Sequence, residues 1–256
     1  MLLAVDVGNT NTVLGVFEGE QVAHSWRIQT DARATADELR LTFQGLLEGV
    51  TVTGIALCST VPAVLREMRT MLGRYYADIP TVIVEPGVRT GVPLLFDNPK
   101  EVGADRVVNT LAAHHLWGGP VVVVDFGTST NLDVVSAKGE FLGGALAPGI
   151  EISVEALASR AAQLRKVELV EPRSVIGKNT VEALQSGILY GFAGQVDGLV
   201  RRVVAELGGQ ATVVATGGLA PLVIGHCETV SLHEPDLTLI GLRLVFEKNV
   251  GPQADH

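Results

Sequence analysis

The chain has 256 residues, 47% of them hydrophobic and 18% charged, which excludes an intrinsically disordered protein because this much apolar surface can offset the entropy of ordering. The length admits one large lobe or two small ones. With 19 Lys and Arg against 28 Asp and Glu the formal net charge is -9, so neither nucleic acid nor an anionic membrane surface is expected as a partner. The uncharged stretches 107–124 and 207–227 are broken by Gly118, Gly119 and Pro120 and by Gly217, Gly218 and Pro221, and neither reads as a membrane span. The start of the chain lacks a basic region, and Asp6 interrupts its apolar run, so no secretory signal is expected. Two cysteines, Cys58 and Cys227, are too few for a disulfide framework or a thiolate metal site, and a reduced, cytoplasmic location fits.

In chain order, residues 2–7, 12–17 and 21–28 predict three short strands in meander order. Thr35 with Glu38 is a capping-box pattern, and Leu39, Phe43, Leu46 and Leu47 then share one face of a helix. Residues 55–59 predict a buried strand, Pro62 suits the first turn of a helix, and residues 81–84 predict another strand. Residues 85–101 carry Pro86, Pro93 and Pro99 and predict irregular chain. Gly103-Ala104-Asp105-Arg106 then introduces the helical run Val107, Leu111, Ala112 and Leu116.

A second three-strand series is predicted over residues 121–126, 131–136 and 140–146. Its first strand ends in Asp125-Phe126-Gly127-Thr128, as the first strand of the chain ends in Asp6-Val7-Gly8-Asn9-Thr10. The repetition predicts an internal duplication, with related lobes at 1–118 and 119–256. A long helix follows over residues 180–207, on which Val181, Leu184, Ile188, Phe192, Val196, Leu199, Val203 and Leu207 recur every three or four positions. Gly187, Gly191, Gly194 and Gly198 each lower its propensity by about 1 kcal/mol relative to Ala, which close packing, against another subunit for example, would explain. Residues 212–215 predict a strand leading into Thr216-Gly217-Gly218, and residues 237–246 a last helix.

A strand ending in Asp-x-Gly-x-Thr makes a tight turn in which backbone N–H groups can approach phosphate oxygens, hydroxyls add donors and the carboxylate can hold a cation or its water shell. One such turn is ordinary, since Asp and Gly favour any strand-ending turn. Two, each after a buried strand and each followed by hydroxyl residues and a returning strand, point to a Mg-nucleotide site. Asp105 reads either as a helix N-cap, with Arg106 a solvated charge, or as a carboxylate that takes a hydroxyl proton beside an arginine that forks onto a substrate carboxylate. His114 and His115 read as helix surface, and Lys178-Asn179-Thr180 as the cap of the long helix, where a hydroxyl can also touch a ligand.

The two Asp-x-Gly loops and the third Thr-Gly-Gly resemble the actin, sugar kinase and heat-shock chaperone superfamily. Asp6-Val7-Gly8-Asn9-Thr10-Asn11-Thr12, Gly103 to Arg106, Asp125 to Thr128, Gly143-Gly144-Ala145-Leu146-Ala147-Pro148-Gly149, Ile176 to Thr180 and Ala215 to Ala220 together are similar to type III pantothenate kinases, over essentially the whole chain. The resemblance implies an α/β, duplicated ribonuclease H-like (actin-like ATPase) fold of two lobes, each a mixed sheet flanked by helices. It implies phosphorylation of the primary hydroxyl of pantothenate by ATP with Mg2+ and a monovalent cation, K+ or NH4+, in a homodimer with the substrate site near the interface. By that resemblance Asp6, Val7, Gly8, Asn9, Thr10, Asn11, Thr12 and Val13 form the first phosphate loop and Thr128 reaches the nucleotide from the second. Asp125 holds the monovalent cation, and Asp105 is the proton acceptor. Phe96, Gly103, Ala104, Asp105 and Arg106 contact pantothenate, joined by Thr180 across the dimer.

The chain departs from the family pattern where a tyrosine is common at Phe96, which keeps the ring and loses a hydroxyl bond to pantothenate. The second loop commonly reads Thr-Ala-Thr-Thr-Phe-Asp, so Ser129, Asn131 and Leu132 are substitutions. The rivals to a pantothenate kinase are another small-molecule kinase or a phosphatase of the superfamily, and a non-catalytic accessory regulator.

Overall fold

The computed structural model describes residues 1–160 and 167–250. In the first sheet β1 (Leu2–Val7), β2 (Asn11–Glu18) and β3 (Gln21–Gln29) form an antiparallel meander, and β4 (Gly54–Ser59) and β5 (Thr81–Ile83) join in parallel, giving the order β3-β2-β1-β4-β5. Successive side chains of a strand leave on opposite faces. Leu3, Val5 and Val7 therefore pack with α1 (Ala36–Leu46) and α2 (Pro62–Tyr75), while Ala4, with Ala56 and Cys58 of β4, packs with Leu239, Leu242 and Val245 near the chain's end. Because both faces are covered, β1 and β4 read as continuous apolar runs rather than alternating ones. Asp6 breaks the run, and its parity puts it on the face of Ala4.

Local signals start the helices where expected. At α1 the Thr35 hydroxyl accepts the Glu38 N–H at 3.4 Å and the Glu38 carboxylate accepts the Thr35 N–H at 2.8 Å, so two donors without intrahelical partners are satisfied reciprocally. Pro62 opens α2.

The second sheet repeats the first. β6 (Val121–Phe126), β7 (Ser129–Val135) and β8 (Phe141–Pro148) form a meander, and β9 (Thr212–Thr216) and β10 (Leu232–His233) join in parallel, giving β8-β7-β6-β9-β10. Asp125 pairs with Thr216 in β9 as Asp6 pairs with Cys58 in β4, so the duplication reaches to the position of single residues. The helices are α3 (Ala104–Trp117), α4 (Ile150–Arg160), α5 (Thr180–Glu206), α6 (Ala220–Val223) and α7 (Leu237–Val250). Ile188, Leu189, Ala193, Val196 and Val200 of α5 pack on Val122, Val124, Phe126 and Leu132. This leaves Val123 and Asp125 on the other face of β6. Two mixed sheets flanked by helices are the duplicated ribonuclease H-like arrangement.

The compact units are Met1–Val92 with Asp97–Ala112 and the chain from Asp236 onward, and Pro93–Phe96 with Ala113–Pro235. They are not the consecutive halves 1–118 and 119–256, because α7 returns to the first sheet. An apolar helix face shows that a partner surface is needed; it does not say which sheet offers one.

Within the second unit α5 also ties down the chain after α6. The buried Asp197 carboxylate accepts the N–H groups of Glu228 and Thr229 at 2.9–3.0 Å and the Thr229 hydroxyl at 2.6 Å. Burial pushes this carboxyl up, but the donors from Glu228 and Thr229 outweigh it and hold it below the ordinary 3.8. The folded state therefore binds that proton less readily than the unfolded one, and the stabilisation is present above the ordinary value and lost as pH falls through the folded one. Asp197→Ala strands these donors and is expected to cost about 3 kcal/mol, at about 1–3 kcal/mol per unsatisfied group. The melting temperature should fall clearly at pH 7, and the gap to wild type should narrow on acidification; equal melting at pH 7 would refute the assignment.

Candidate active site

Between β1 and β2 the chain turns through Gly8, Asn9 and Thr10, and the Gly8 N–H donates to the Asn11 carbonyl at 3.0 Å. Asn9 and Thr10 are exposed, Gly8, Asn11 and Val13 partly so, and Val7 and Thr12 are buried. The Thr12 hydroxyl lies 2.9 Å from that of Thr30, directed into the turn rather than outward. Bare backbone and exposed polar side chains at the end of a buried strand suit close approach of phosphate oxygens.

On the covered face behind this turn two carboxylates come together. Cys58 donates its S–H to Asp6 Oδ1 at 3.3 Å. Burial and the charge of Asp105 push the Asp6 carboxyl up to about 7, against the opposing pull of the Cys58 thiol and the Arg27 charge. Asp105 comes from the start of α3. Since the helix opens at Ala104, Asp105 lies inside its first turn, and the N-cap reading of this residue falls away. Its Oδ1 is buried with no hydrogen-bond partner. Burial raises the Asp105 carboxyl as well, opposed by the N–H and charge of Arg106, which is itself partly buried rather than solvated. A Cβ at Gly103 would collide with Asp105 Oδ1, so the glycine before the helix makes room for the carboxylate. The helix start is held by Thr110, whose hydroxyl donates to the Arg106 carbonyl at 2.9 Å, and by Asn109, which accepts from Thr238 of α7 at 2.8 Å.

In the second unit the turn between β6 and β7 is Gly127-Thr128, with the Gly127 N–H on the Ser129 carbonyl at 3.0 Å and Thr128 exposed. Asp125 sits on β6 between Thr216 of β9 and Asn131 of β7. Asn131 and Asp133 leave the sheet on the same face as Asp125, and Asn131 Oδ1 is buried without a hydrogen-bond partner. Gly217, at φ +91°, brings the third motif against this carboxylate: a Cβ there would strike Asp125 Oδ1 and lie 2.6 Å from the Phe126 carbonyl oxygen. The second and third motifs thus meet at Asp125 in the second unit, and the first motif stands in the first unit with Asp105.

A family model for type III pantothenate kinases matches residues 2–202. The type III pantothenate kinase of Frankia alni is 72% identical over 250 residues, 98% of this chain and 100% of that protein. The chain belongs to the type III pantothenate kinase family. Two solved structures share the fold: the activator of 2-hydroxyisocaproyl-CoA dehydratase from Clostridium difficile with bound ADPNP, at TM-score 0.57 and 14% identity over 97% of this chain and 95% of that one, and the ROK hexokinase of Thermus thermophilus, at 0.52 and 18% over 95% and 97%.

The other positions that pantothenate kinases suggest lie in the second unit. Phe96 is partly buried, with its ring 5.9 Å from that of Phe141 and packed on Gly143. Thr180 is the exposed first residue of α5, after Asn179, whose side chain caps the helix by accepting the Glu182 N–H at 2.9 Å. His115 is exposed, while His114 is partly buried, its ring packed on Gly139 and its Nε2 3.4 Å from the Ala137 carbonyl oxygen. Among the described residues no group of three His, Cys, Asp or Glu is placed to hold a metal. Sequence reasoning missed Thr30 and Cys58: a threonine after an exposed strand and a cysteine in an apolar run carry no signal until the strand order sets them beside Gly8 and Asp6.

Proposed function

We infer that this chain transfers the γ-phosphoryl group of ATP to the primary hydroxyl of pantothenate, giving 4′-phosphopantothenate and ADP, the first step of coenzyme A synthesis. The observation that carries this reading is the family match over residues 2–202 in a chain whose Asp105 carboxylate is buried beside the strand that leads into the first phosphate turn. Asp6 to Val13 cradle the phosphates and Thr128 reaches the nucleotide. Asp105 orients the pantothenate hydroxyl and takes its proton, Arg106 pairs with the pantothenate carboxylate, and Gly103, Ala104 and Phe96 complete the contact. Phosphoryl transfer passes through a loose transition state with little nucleophilic push, so positioning and charge neutralisation carry most of the rate.

Burial and the nearby charge of Asp105 raise the proton affinity of Asp6, which a cation beside it would relieve, and Mg2+ carried by the nucleotide fits Asp6. When bound it neutralises charge on the phosphates. The monovalent cation, K+ or NH4+, fits Asp125 with the amide oxygen of Asn131, both of which offer oxygen to a hard cation. A cytoplasmic setting suits the free thiols of Cys58 and Cys227, and no helix among the described residues is long and apolar enough to cross a membrane.

A homodimer is supported by α5. A Cβ added at Gly187, Gly191 or Gly194 would meet nothing within 4 Å, although these glycines weaken the helix. They fall on one exposed face, with Thr180 and Ala183 along it; a second copy lying there would account for the small residues and bring Thr180 to its partner's substrate. Sedimentation of a monomer alone would remove this part of the reading.

The test is ADP release from Mg-ATP, with and without pantothenate and with K+ or NH4+ added or withheld. Release that needs pantothenate and rises with the cation is expected. ATP turnover on other alcohols alone would indicate another kinase, and nucleotide binding without turnover would indicate the regulator.

A further inference from the structure

The phosphate turn is held from outside its own sequence, by the residue that follows β3. The Thr30 hydroxyl donates to the Gly8 carbonyl at 2.8 Å and its N–H donates to the Thr10 carbonyl at 2.9 Å. The Thr12 hydroxyl lies 2.9 Å from the same Thr30 oxygen. A hydroxyl has one proton to give, and that of Thr30 is committed to Gly8, so Thr12 must be the donor in the pair. The result is a directed chain, Thr12 to Thr30 to Gly8, with the Thr30 backbone closing a third contact at Thr10. Three of the five residues from Gly8 to Thr12 are thereby tied to one side chain and one N–H.

We propose that Thr30 is the positioning residue of the nucleotide's phosphate site: it sets the Gly8 and Thr10 peptides so that the N–H groups of the turn face the phosphates before the nucleotide arrives. The idea rests on the reading of Gly8 to Thr12 as the phosphate loop. Carbonyls fixed by Thr30 cannot turn toward the phosphates, where their partial negative charge would oppose binding. Pre-organisation of this kind acts on affinity, because less order has to be imposed when the nucleotide binds.

Thr30→Val keeps the β-branched shape and the N–H but loses the hydroxyl, whereas Thr30→Ser keeps the hydroxyl. KM for ATP is expected to rise about tenfold in Thr30→Val, the scale of one hydrogen bond, with KM for pantothenate unmoved, and to return toward wild type in Thr30→Ser. Calorimetric binding of Mg-ADP to the same proteins should follow the same order, and it reads the loop whether or not pantothenate proves to be the substrate. Failure of wild type to turn over pantothenate would therefore sink the functional reading and leave this test standing. Unchanged Mg-ADP affinity in Thr30→Val would overturn the proposal, as would an equal loss in Thr30→Val and Thr30→Ser, or a rise in both KM values together with a lower melting temperature.

Discussion

Asp105→Asn should lower kcat by about 10²–10⁴-fold, the range that a positioned general base contributes, while leaving the fold intact. The amide has the shape of the carboxylate, so it fills the space that Gly103 leaves for it and keeps the first turn of α3 in place. It cannot take a proton. Because the transition state is loose, proton transfer comes late, so the lost base alone belongs toward the lower end of that range, and the hydroxyl orientation that the carboxylate also supplies adds to it. A pH profile adds a second reading. Burial raises the Asp105 carboxyl above its ordinary 3.8, so the active, ionised form is reached only above that raised value, and kcat/KM of the wild type should climb with pH through an acid limb displaced upward. In the variant that limb should lose the Asp105 contribution. The charge of Asp105 is also among the causes that lift Asp6, so neutralising it should ease the ionisation of Asp6, and melting should not suffer. Retention of kcat within tenfold of wild type, or a change confined to KM for pantothenate, would show that Asp105 binds substrate without acting as the base.

What could be read from the sequence follows the reach of each signal. The capping box at Thr35 and Glu38 and the Pro at the start of α2 depend on neighbours within a turn, and both start helices where the pattern puts them. The duplication was legible because a strand ending in Asp-x-Gly occurs twice, and the shared strand order follows from it. Long-range pairing was not legible. Thr30 is 22 residues from Gly8 in sequence and reaches it only because β3 returns beside β2. Cys58 meets Asp6 because β4 joins β1 in parallel in one register, and a slip of one residue would send the thiol to the opposite face. The same gap explains α7, which the sequence predicts as a last helix over residues 237–246 without showing that it returns to the first sheet. Asp105 shows the remaining difficulty: a cap and a first-turn carboxylate differ by two positions along the chain, and only the observed start of α3 at Ala104 separates them.

Gly217→Ala should all but abolish activity, by more than about 100-fold, through backbone geometry alone, since displacement of a fixed charge by about an ångström is enough for losses of that order. Two costs coincide at this position. Its φ of +91° lies in the region that a side chain strains to occupy, at about 1–3 kcal/mol. The new methyl would also lie 2.6 Å from the Phe126 carbonyl oxygen and strike Asp125 Oδ1. The first of these neighbours is backbone at the end of β6, which is paired on both sides by β7 and β9 and cannot yield without loosening the sheet. The second is the carboxylate assigned to the monovalent cation, which moves more easily and should be the group displaced. Stimulation of the residual activity by K+ or NH4+ should therefore disappear, and the melting temperature should fall. Gly45→Ala is the control, because Gly45 lies on the exposed side of α1 with nothing within 4 Å of an added Cβ. There the methyl should stabilise the helix by about 0.5–1 kcal/mol and leave turnover alone. If Gly217→Ala instead kept wild-type activity and cation response, the Thr-Gly-Gly turn would be packing at the end of β9 and no part of the site.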